Sequence, residues 1–323
     1  RRPPRSTLSS SSAASDVYKR QVNWKDDYPV GWIEDFREFK SNADRDGIDI
    51  IFGISPGASL DLKDFEYLER KIEIFKELSI ENFCILFDDI PKEKEQFSLH
   101  KKVHELCLEK FPDINLSCVP SQYCKHMVEN SNNDYLAELD KVDMSIPFFW
   151  TGNQVITSNY SDNNVDSWKE LFCEDRDLII WDNTFANDYC VPKIVMQNFD
   201  SFFSKEDKKV SGFMLNASGI ELVDLIAIEI LDNALKENQI TLDDILKDRG
   251  FPKELINLSH FFKINISSSF SDDEKKDLDF LLWNWNGKIK KFFYPYLHQL
   301  SQIFNETDQD ELNGLKKRFR VKE

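Results

Sequence analysis

The chain has 323 residues, of which 41% are hydrophobic, and its formal net charge is −17. This length allows one large α/β domain or two ordinary ones. The negative charge argues against nucleic acid or an anionic membrane surface as the main partner, because both attract clustered Lys and Arg. No apolar stretch reaches the roughly 20 residues that cross a bilayer, so we expect no membrane span.

Residues 1–21 differ in composition from the rest of the chain. They contain five basic residues, one acidic residue and a serine-rich run. Such a stretch is typical of a transit peptide, but it lacks an initiator Met and also resembles translated flanking DNA. We favour the second interpretation and treat residues 1–21 as a non-native or disordered leader. The cellular compartment is therefore left unassigned.

The six cysteines show no CxxC spacing and no dense framework. This spacing predicts reduced structural thiols, which suit the cytoplasm, rather than disulfides or a zinc site. We expect no metal and no cofactor.

After the leader, short β-branched or aromatic runs alternate with amphipathic stretches at intervals of roughly 30 residues, which is typical of parallel βα units. This alternation predicts an α/β fold, a (β/α)8 barrel over residues 22–238. The predicted strands are 48–54, 83–87, 114–119, 145–150, 178–181 and 211–215. The predicted helices are 62–78, 95–111, 133–141, 166–172 and 220–236.

Residues 239–323 show no further strand signals and predict a helical C-terminal region. Helices are expected at 241–247, at 252–263 and from Ser271, where Ser271 and Glu274 have the spacing of a capping box. The aromatic residues that follow Ser271 are typical of a packing face. We expect this region to dock on the barrel or to mediate self-association into a homo-oligomer.

Polar residues follow every predicted strand, and the adjacent Asp88 and Asp89 are the least expected of them. Two carboxylates at the end of a buried strand cost free energy unless they are paired, hydrogen-bonded or used in chemistry. Turn and cap preferences explain any single polar residue there, but not the accompanying Tyr123, Trp150 and Trp181. Because the carboxyl ends of barrel strands converge on one mouth, carboxylates, amides and aromatic rings would meet there, and this combination suits a sugar.

Several short motifs recur in one enzyme family in the same order and at similar spacing. They are Lys25-Asp26-Asp27, Ile54-Ser55-Pro56-Gly57, Leu86-Phe87-Asp88-Asp89-Ile90, Tyr123-Cys124, Trp150-Thr151-Gly152, Trp181-Asp182-Asn183 with Ala186-Asn187-Asp188-Tyr189, and Leu215-Asn216. Through them, residues 24–234 resemble glycoside hydrolase family 84, which includes O-GlcNAcase and hyaluronidase-like β-N-acetylglucosaminidases. Each motif alone is a weak signal, but the ordered set is a strong one.

The resemblance implies a retaining enzyme that removes terminal β-linked N-acetylglucosamine from a glycan or glycoprotein. In such enzymes the acetamido oxygen of the substrate is the nucleophile and an oxazoline is the intermediate, an exception to the usual scheme with two enzyme carboxylates. The resemblance implies that Asp88 polarises the acetamido group and that Asp89 is the general acid and base. Repulsion and burial separate the pKa values of neighbouring carboxyls, so one ionises while the other holds a proton.

The resemblance also implies a set of residues that hold the sugar. Asp188 is expected to be a buried acceptor for its hydroxyls, and Trp181 to line the pocket for the acetamido methyl group. Asp182 is expected to have a structural role. The complete set is Lys25, Tyr123, Trp181, Asn183, Asp188 and Asn216.

Members of this family begin with a strand and a helix that have no counterpart before Trp24. We therefore expect a barrel that lacks its first strand and helix and exposes an apolar edge.

Other functions remain open on the residues alone. One alternative is a barrel lyase or aldolase with Lys25 as a Schiff-base amine, and another is a magnesium enzyme with Asp88, Asp89 and Asp182 as ligands. A third alternative is a protein that binds N-acetylglucosamine without hydrolysing it.

Overall fold

The computed structural model of the chain describes residues 24–56, 60–90, 96–172, 176–204, 210–267, 270–306 and 308–322. The predicted leader, residues 1–21, and Gly57 lie outside these ranges. Within them, no helix is both long and apolar enough to cross a membrane. The division of the chain at residue 238 stays a prediction.

Six parallel strands form the central sheet, and they pair in the order of the chain. They are β1 (Ile51–Ile54), β2 (Asn82–Leu86), β3 (Asn115–Val119), β4 (Phe148–Trp150), β5 (Leu178–Asp182) and β6 (Gly212–Leu215). Among the described residues, β1 and β6 each pair on one side only. The sheet is thus a curled half-barrel, the part of a (β/α)8 barrel that the sequence predicts, and the carboxyl ends of all six strands lie along one edge.

The helices that flank this sheet follow the predicted alternation. They are α1 (Val30–Arg45), α2 (Phe65–Glu77), α3 (Phe97–Lys110), α4 (Lys125–Glu129), α5 (Tyr135–Leu139), α6 (Asp162–Lys169) and α7 (Glu221–Leu235). Helix α7 ends within one residue of its prediction on each side, whereas α6 begins four residues early, with Val165 and Trp168 as its buried face. Helix α1 was not predicted; Ala43 is its only fully buried residue, and its Ile33 and Phe36 pack half-buried against the core.

The two faces of the sheet have different surroundings. Phe83 and Ile85 of β2 join Leu68 of α2 in a large buried cluster under the helices. Cys84 points to the opposite face, where it packs in a smaller cluster with Tyr123. Several members of that cluster are half-buried, so the inner face of the half-barrel is only partly covered.

The C-terminal region is mainly helical, as predicted, and also contains two short parallel strands. Its elements are α8 (Leu242–Asp248), α9 (Lys253–Asn257), β7 (Ile266–Ser267), α10 (Asp272–Asp279), α11 (Lys290–Asn305), α12 (Gln309–Phe319) and β8 (Val321–Lys322). The predicted capping box is confirmed, since Ser271 and Glu274 exchange side chain to backbone hydrogen bonds. Phe293 and Tyr296 pack in one core with Val223 of α7, so the aromatic stretch docks on the half-barrel.

Candidate active site

The aspartate pair lies in a tight turn directly after β2. Asp88 is half-buried, and Asp89 is exposed. Asp89 has a φ angle of 56°, in the left-handed region, which costs a residue other than glycine about 1–3 kcal/mol. Aspartate is one of the few residues that visit this region routinely. A strained turn that presents two carboxylates is a candidate for function rather than for stability.

Burial raises the pKa of Asp88 from 3.8 to about 6, and the negative charge of Asp89 adds to the shift. The sequence predicts one carboxyl that holds a proton and assigns it to Asp89. Of the two carboxyls, Asp88 is the more buried. At neutral pH most Asp88 carboxyls with this pKa are still ionised.

Tyr123 connects the aspartate pair to Trp181, another aromatic residue that the sequence singles out. Its hydroxyl donates a hydrogen bond to Oδ1 of Asp89 over 3.2 Å. Its ring centroid lies 6.0 Å from that of Trp181, two strands away. Burial raises the pKa of Tyr123, and the charges of Asp89 and Asp88 add to this, so the phenol stays protonated and acts as a donor. The structure therefore brings three predicted site residues, on three strand ends, into one group.

The two predicted amides form a second group at the same edge. The Asn216 side-chain amide donates to Oδ1 of Asn183 over 2.9 Å. The Asn183 amide in turn donates to the carbonyl of Val155 over 2.9 Å, and the Asn216 backbone N–H donates to the carbonyl of Asp182. The ends of β5 and β6 are thus joined through the residues that the sequence singles out.

Lys25 lies beside the segment that follows β1. Its ammonium is 2.8 Å from Oδ2 of Asp64 and 5.6 Å from the ring centroid of Tyr67. It lines a cleft of about 790 Å³ together with Gln96 and Leu99, residues near the start of α3. A ligand hydroxyl at Lys25 would therefore share the ammonium with Asp64.

Asp188 and Trp150 differ from their predicted environments. Asp188 is exposed rather than buried, because it follows the buried Asn187 in a turn, and its Oδ1 accepts a hydrogen bond from the backbone N–H of Tyr189. Trp150 is fully buried and packs edge-on against Phe172, with centroids 5.1 Å apart. It therefore belongs to the core and not to the pocket.

Asp182 is fully buried and hydrogen-bonded. Its carboxylate accepts hydrogen bonds from the hydroxyls of Tyr160 and Thr184, each over 2.6 Å, and from the Thr184 backbone N–H. Burial raises its pKa to about 6 despite these bonds. This arrangement fits the structural role that was expected.

The alternative magnesium site is not formed. No group of three or more His, Cys, Asp or Glu side chains in the described residues could hold a metal ion. Asp182 faces Tyr160 and Thr184, on the opposite side of β5 from Trp181. It is therefore not a partner for the aspartate pair.

A buried polar network behind the aspartate turn was missed by the sequence. The Ser121 hydroxyl donates to the carbonyl of Phe87 over 2.8 Å, and the Ser121 N–H donates to the Tyr135 hydroxyl over 3.0 Å. The Tyr135 oxygen also lies 2.9 Å from Nδ1 of His100. The His100 ring stacks on Phe87 with centroids 3.8 Å apart. We call Ser121, Tyr135 and His100 the brace.

The brace fixes the residue that immediately precedes Asp88. Burial lowers the pKa of His100 to about 3, so its imidazole is neutral and its role is packing and hydrogen bonding. Ser121 was visible in the sequence as part of a polar strand end. Its partners were not, because the bond from Ser121 to Phe87 and the bond between Tyr135 and His100 connect separate βα units.

Comparisons with known proteins agree with the family that the sequence motifs resemble. The sequence model of the NAGidase family, beta-N-acetylglucosaminidase, matches residues 13–243. Protein O-GlcNAcase of Rattus norvegicus and that of Mus musculus are each 25% identical over 245 residues, which is 70% of this chain and 26% of each relative. The chain thus spans about a quarter of the length of these curated relatives.

One solved structure, "Structure of CpGH84B", has the same fold. It superposes with a TM-score of 0.58 at 20% identity and covers 92% of this chain and 58% of the other. At this identity the likeness supports the fold alone.

Proposed function

The chain belongs to the beta-N-acetylglucosaminidase family, and we propose that it hydrolyses terminal β-linked N-acetylglucosamine with retention, by substrate-assisted catalysis. The observation that carries this proposal is the group of Asp89, Tyr123 and Trp181 beside Asp88. A carboxylate pair, a phenol donor and a half-buried indole suit an acetamido sugar, which offers one N–H donor, one carbonyl nucleophile and one methyl group.

In the first step, the Asp88 carboxylate accepts a hydrogen bond from the acetamido N–H and stabilises the positive charge that develops on that group. The acetamido carbonyl oxygen forms a bond to C1 of the sugar while the bond from C1 to the leaving oxygen breaks. Asp89 donates its proton to that oxygen. The products are a free alcohol and a protonated oxazoline, which keeps its N–H and whose positive charge is balanced by the Asp88 carboxylate.

In the second step, Asp89 takes a proton from a water molecule that attacks C1. The bond between C1 and the acetamido oxygen breaks, and the amide is restored. Two inversions at C1 give net retention. Asp89 is exposed, so the attacking water can reach it, whereas the half-buried Asp88 is better suited to hold the amide.

The remaining residues are proposed to hold the sugar. Tyr123 contacts the acetamido group, and Trp181 lines the space for its methyl. Asn183 and Asn216 already form a paired amide group at the ends of β5 and β6, and each has further hydrogen-bonding capacity for hydroxyls. Asp188 is exposed and accepts hydroxyl donors, and Lys25 donates from the cleft beside α3.

The direct test is hydrolysis of an aryl β-N-acetylglucosaminide by the full chain, with the matching aryl β-glucosaminide as control. We expect cleavage of the acetylated substrate that EDTA leaves unchanged, and little cleavage of the amine. Equal cleavage of both would contradict substrate assistance. Binding of the sugar without hydrolysis would instead support the non-catalytic alternative, and trapping by borohydride would support a Schiff base on Lys25.

The roles of the two aspartates are separated by their dependence on the leaving group. Asp89→Asn removes the proton donor, so its loss of activity should be large for an alkyl leaving group and small for an activated aryl group. Asp88→Asn weakens the acetamido nucleophile and should reduce both rates by about 10²-fold or more. The measurement is kcat/KM for both substrates with each variant. Small, equal effects from both substitutions would disprove the assignment.

A further inference from the structure

The C-terminal residues contact the loop that carries Asp188. Arg318, near the end of α12, donates a hydrogen bond to the carbonyl of Val191 over 2.6 Å. The guanidinium of Arg320 lies over the Tyr189 ring, 4.5 Å from its centroid. From the other side, the Lys193 ammonium donates to the carbonyls of Ile264 and Phe319, over 2.5 and 2.8 Å. These contacts tie residues 187–193, which we call the Asp188 loop, to the far end of the chain.

The loop has little regular structure of its own. It lies between β5 and β6 and forms turns rather than a helix or strand. Its internal backbone hydrogen bonds run from Cys190 to Asn187 and from Lys193 to Cys190. Segments with so few internal hydrogen bonds open readily unless neighbouring elements hold them. The orientation of Asp188 therefore depends on contacts from outside the loop.

Burial of the Lys193 ammonium to make such a contact costs free energy. Its side chain is fully buried, and burial lowers its pKa to about 7. An apolar residue of similar volume would fill this space without the desolvation penalty of an ammonium. Only a donor can hold the carbonyls of Ile264 and Phe319 together, which fixes the end of α12 against the loop.

The chain path after α12 supports the same interpretation. Arg320 has a φ angle of 54°, so it ends the helix in a left-handed conformation. The next residues form β8, which pairs with β7. Pairing of β7 with β8 holds this segment in register. Arg318 and Arg320, which precede and follow Phe319 in the sequence, both contact the loop. Three separate contacts thus converge on seven residues that include one predicted sugar contact.

We propose that the segment from α12 to β8 positions the Asp188 loop for sugar binding, with Arg318, Arg320 and Lys193 as positioning residues. This inference rests on the proposed function, because the loop matters for affinity only if Asp188 binds the sugar. The C-terminal region then has a role in the site as well as in the core, although none of its residues follows a strand of the central sheet.

The test compares Arg318→Ala, combined with Arg320→Ala, with the control Lys317→Ala. Lys317 is an exposed cation on the same helix, so the control also removes a positive charge from α12. Hydrogen exchange by mass spectrometry follows the amides of residues 187–193, and calorimetry measures the affinity for methyl β-N-acetylglucosaminide. We expect the double variant to exchange about tenfold faster in the loop and to bind about tenfold more weakly, while the control does neither.

The outcomes distinguish this inference from the proposed function. Unchanged exchange in the double variant would show that Arg318 and Arg320 do not hold the Asp188 loop. Faster exchange with unchanged affinity would show that holding the loop has no role in sugar binding. If the wild-type chain does not bind the sugar, the proposed function fails and the role in binding fails with it. In that case the exchange rates still decide whether α12 and β8 hold the loop.

Discussion

Asp88 shows how the site is built at the expense of stability. A carboxyl whose pKa rises from 3.8 in the unfolded chain to about 6 in the folded protein binds its proton more tightly when folded. The tighter proton binding therefore stabilises the folded protein fully below about pH 4, and this stabilisation is lost as the pH rises through 6. The shift of roughly two pKa units corresponds to about 3 kcal/mol. Partial exposure reduces this to about 1–2 kcal/mol.

Asp88→Asn should stabilise the protein at pH 8, because the neutral amide removes the ionised group that burial disfavours. We expect a gain of about 1–2 kcal/mol in the free energy of unfolding at pH 8 and no gain near pH 4. Urea denaturation at both pH values measures it. The control Asp35→Asn, at an exposed position on α1, should change stability by less than about 0.5 kcal/mol at either pH. A gain that is equal at pH 8 and pH 4 would contradict the argument from burial.

At the scale of elements, the turn after β2 depends on the brace of Ser121, Tyr135 and His100. Two strand ends and two helices meet there, since Ser121 follows β3, His100 lies on α3 and Tyr135 begins α5. All three residues are buried. A buried donor that loses its partner costs about 1–3 kcal/mol, so the hydroxyl of Tyr135 serves both its neighbours at once.

Tyr135→Phe should therefore destabilise the chain although it keeps the ring. The Ser121 N–H and the His100 ring nitrogen both lose a partner in the interior, and we expect a loss of about 1–3 kcal/mol in the free energy of unfolding. Tyr294→Phe is the matched control, because Tyr294 is only half-buried and should change stability by less than about 0.5 kcal/mol. Equal effects of the two substitutions in urea denaturation would show that the brace is not formed.

Local sequence signals predicted the strands, the helix α7 and the capping box at Ser271. Each of these depends on residues within a few positions of one another. Because parallel strand ends converge, the sequence predicted that these site residues share one edge of the sheet. It did not predict that Tyr123 pairs with Asp89 or that Asn216 pairs with Asn183. The brace and the contact from Arg318 to Val191 could not be predicted, because partners far apart in sequence leave no periodic signal in a single chain.

On the scale of the whole molecule, two buried cores support the candidate site from different directions. One lies between the sheet and α2 and α3, and the other joins α7 to the C-terminal helices. Phe199 packs against both. The ends of β2 and β3 belong to the first core, whereas the loop after β5 belongs to the second. The site therefore depends on docking of the C-terminal region as well as on the half-barrel.

In the part of the chain that the structure describes, the first strand of the sheet presents an unpaired, partly apolar edge. Within the described ranges β1 pairs only with β2, and Ile51, Ile48 and the nearby Phe39 of α1 are exposed. An unpaired apolar edge strand is a template for pairing with another chain, and a lysine on it opposes that pairing. Ile51→Lys should therefore reduce concentration-dependent association in light scattering, whereas Val30→Lys, at a more exposed position on α1, should leave it nearly unchanged. Equal reductions would assign the association to general hydrophobicity instead of the β1 edge.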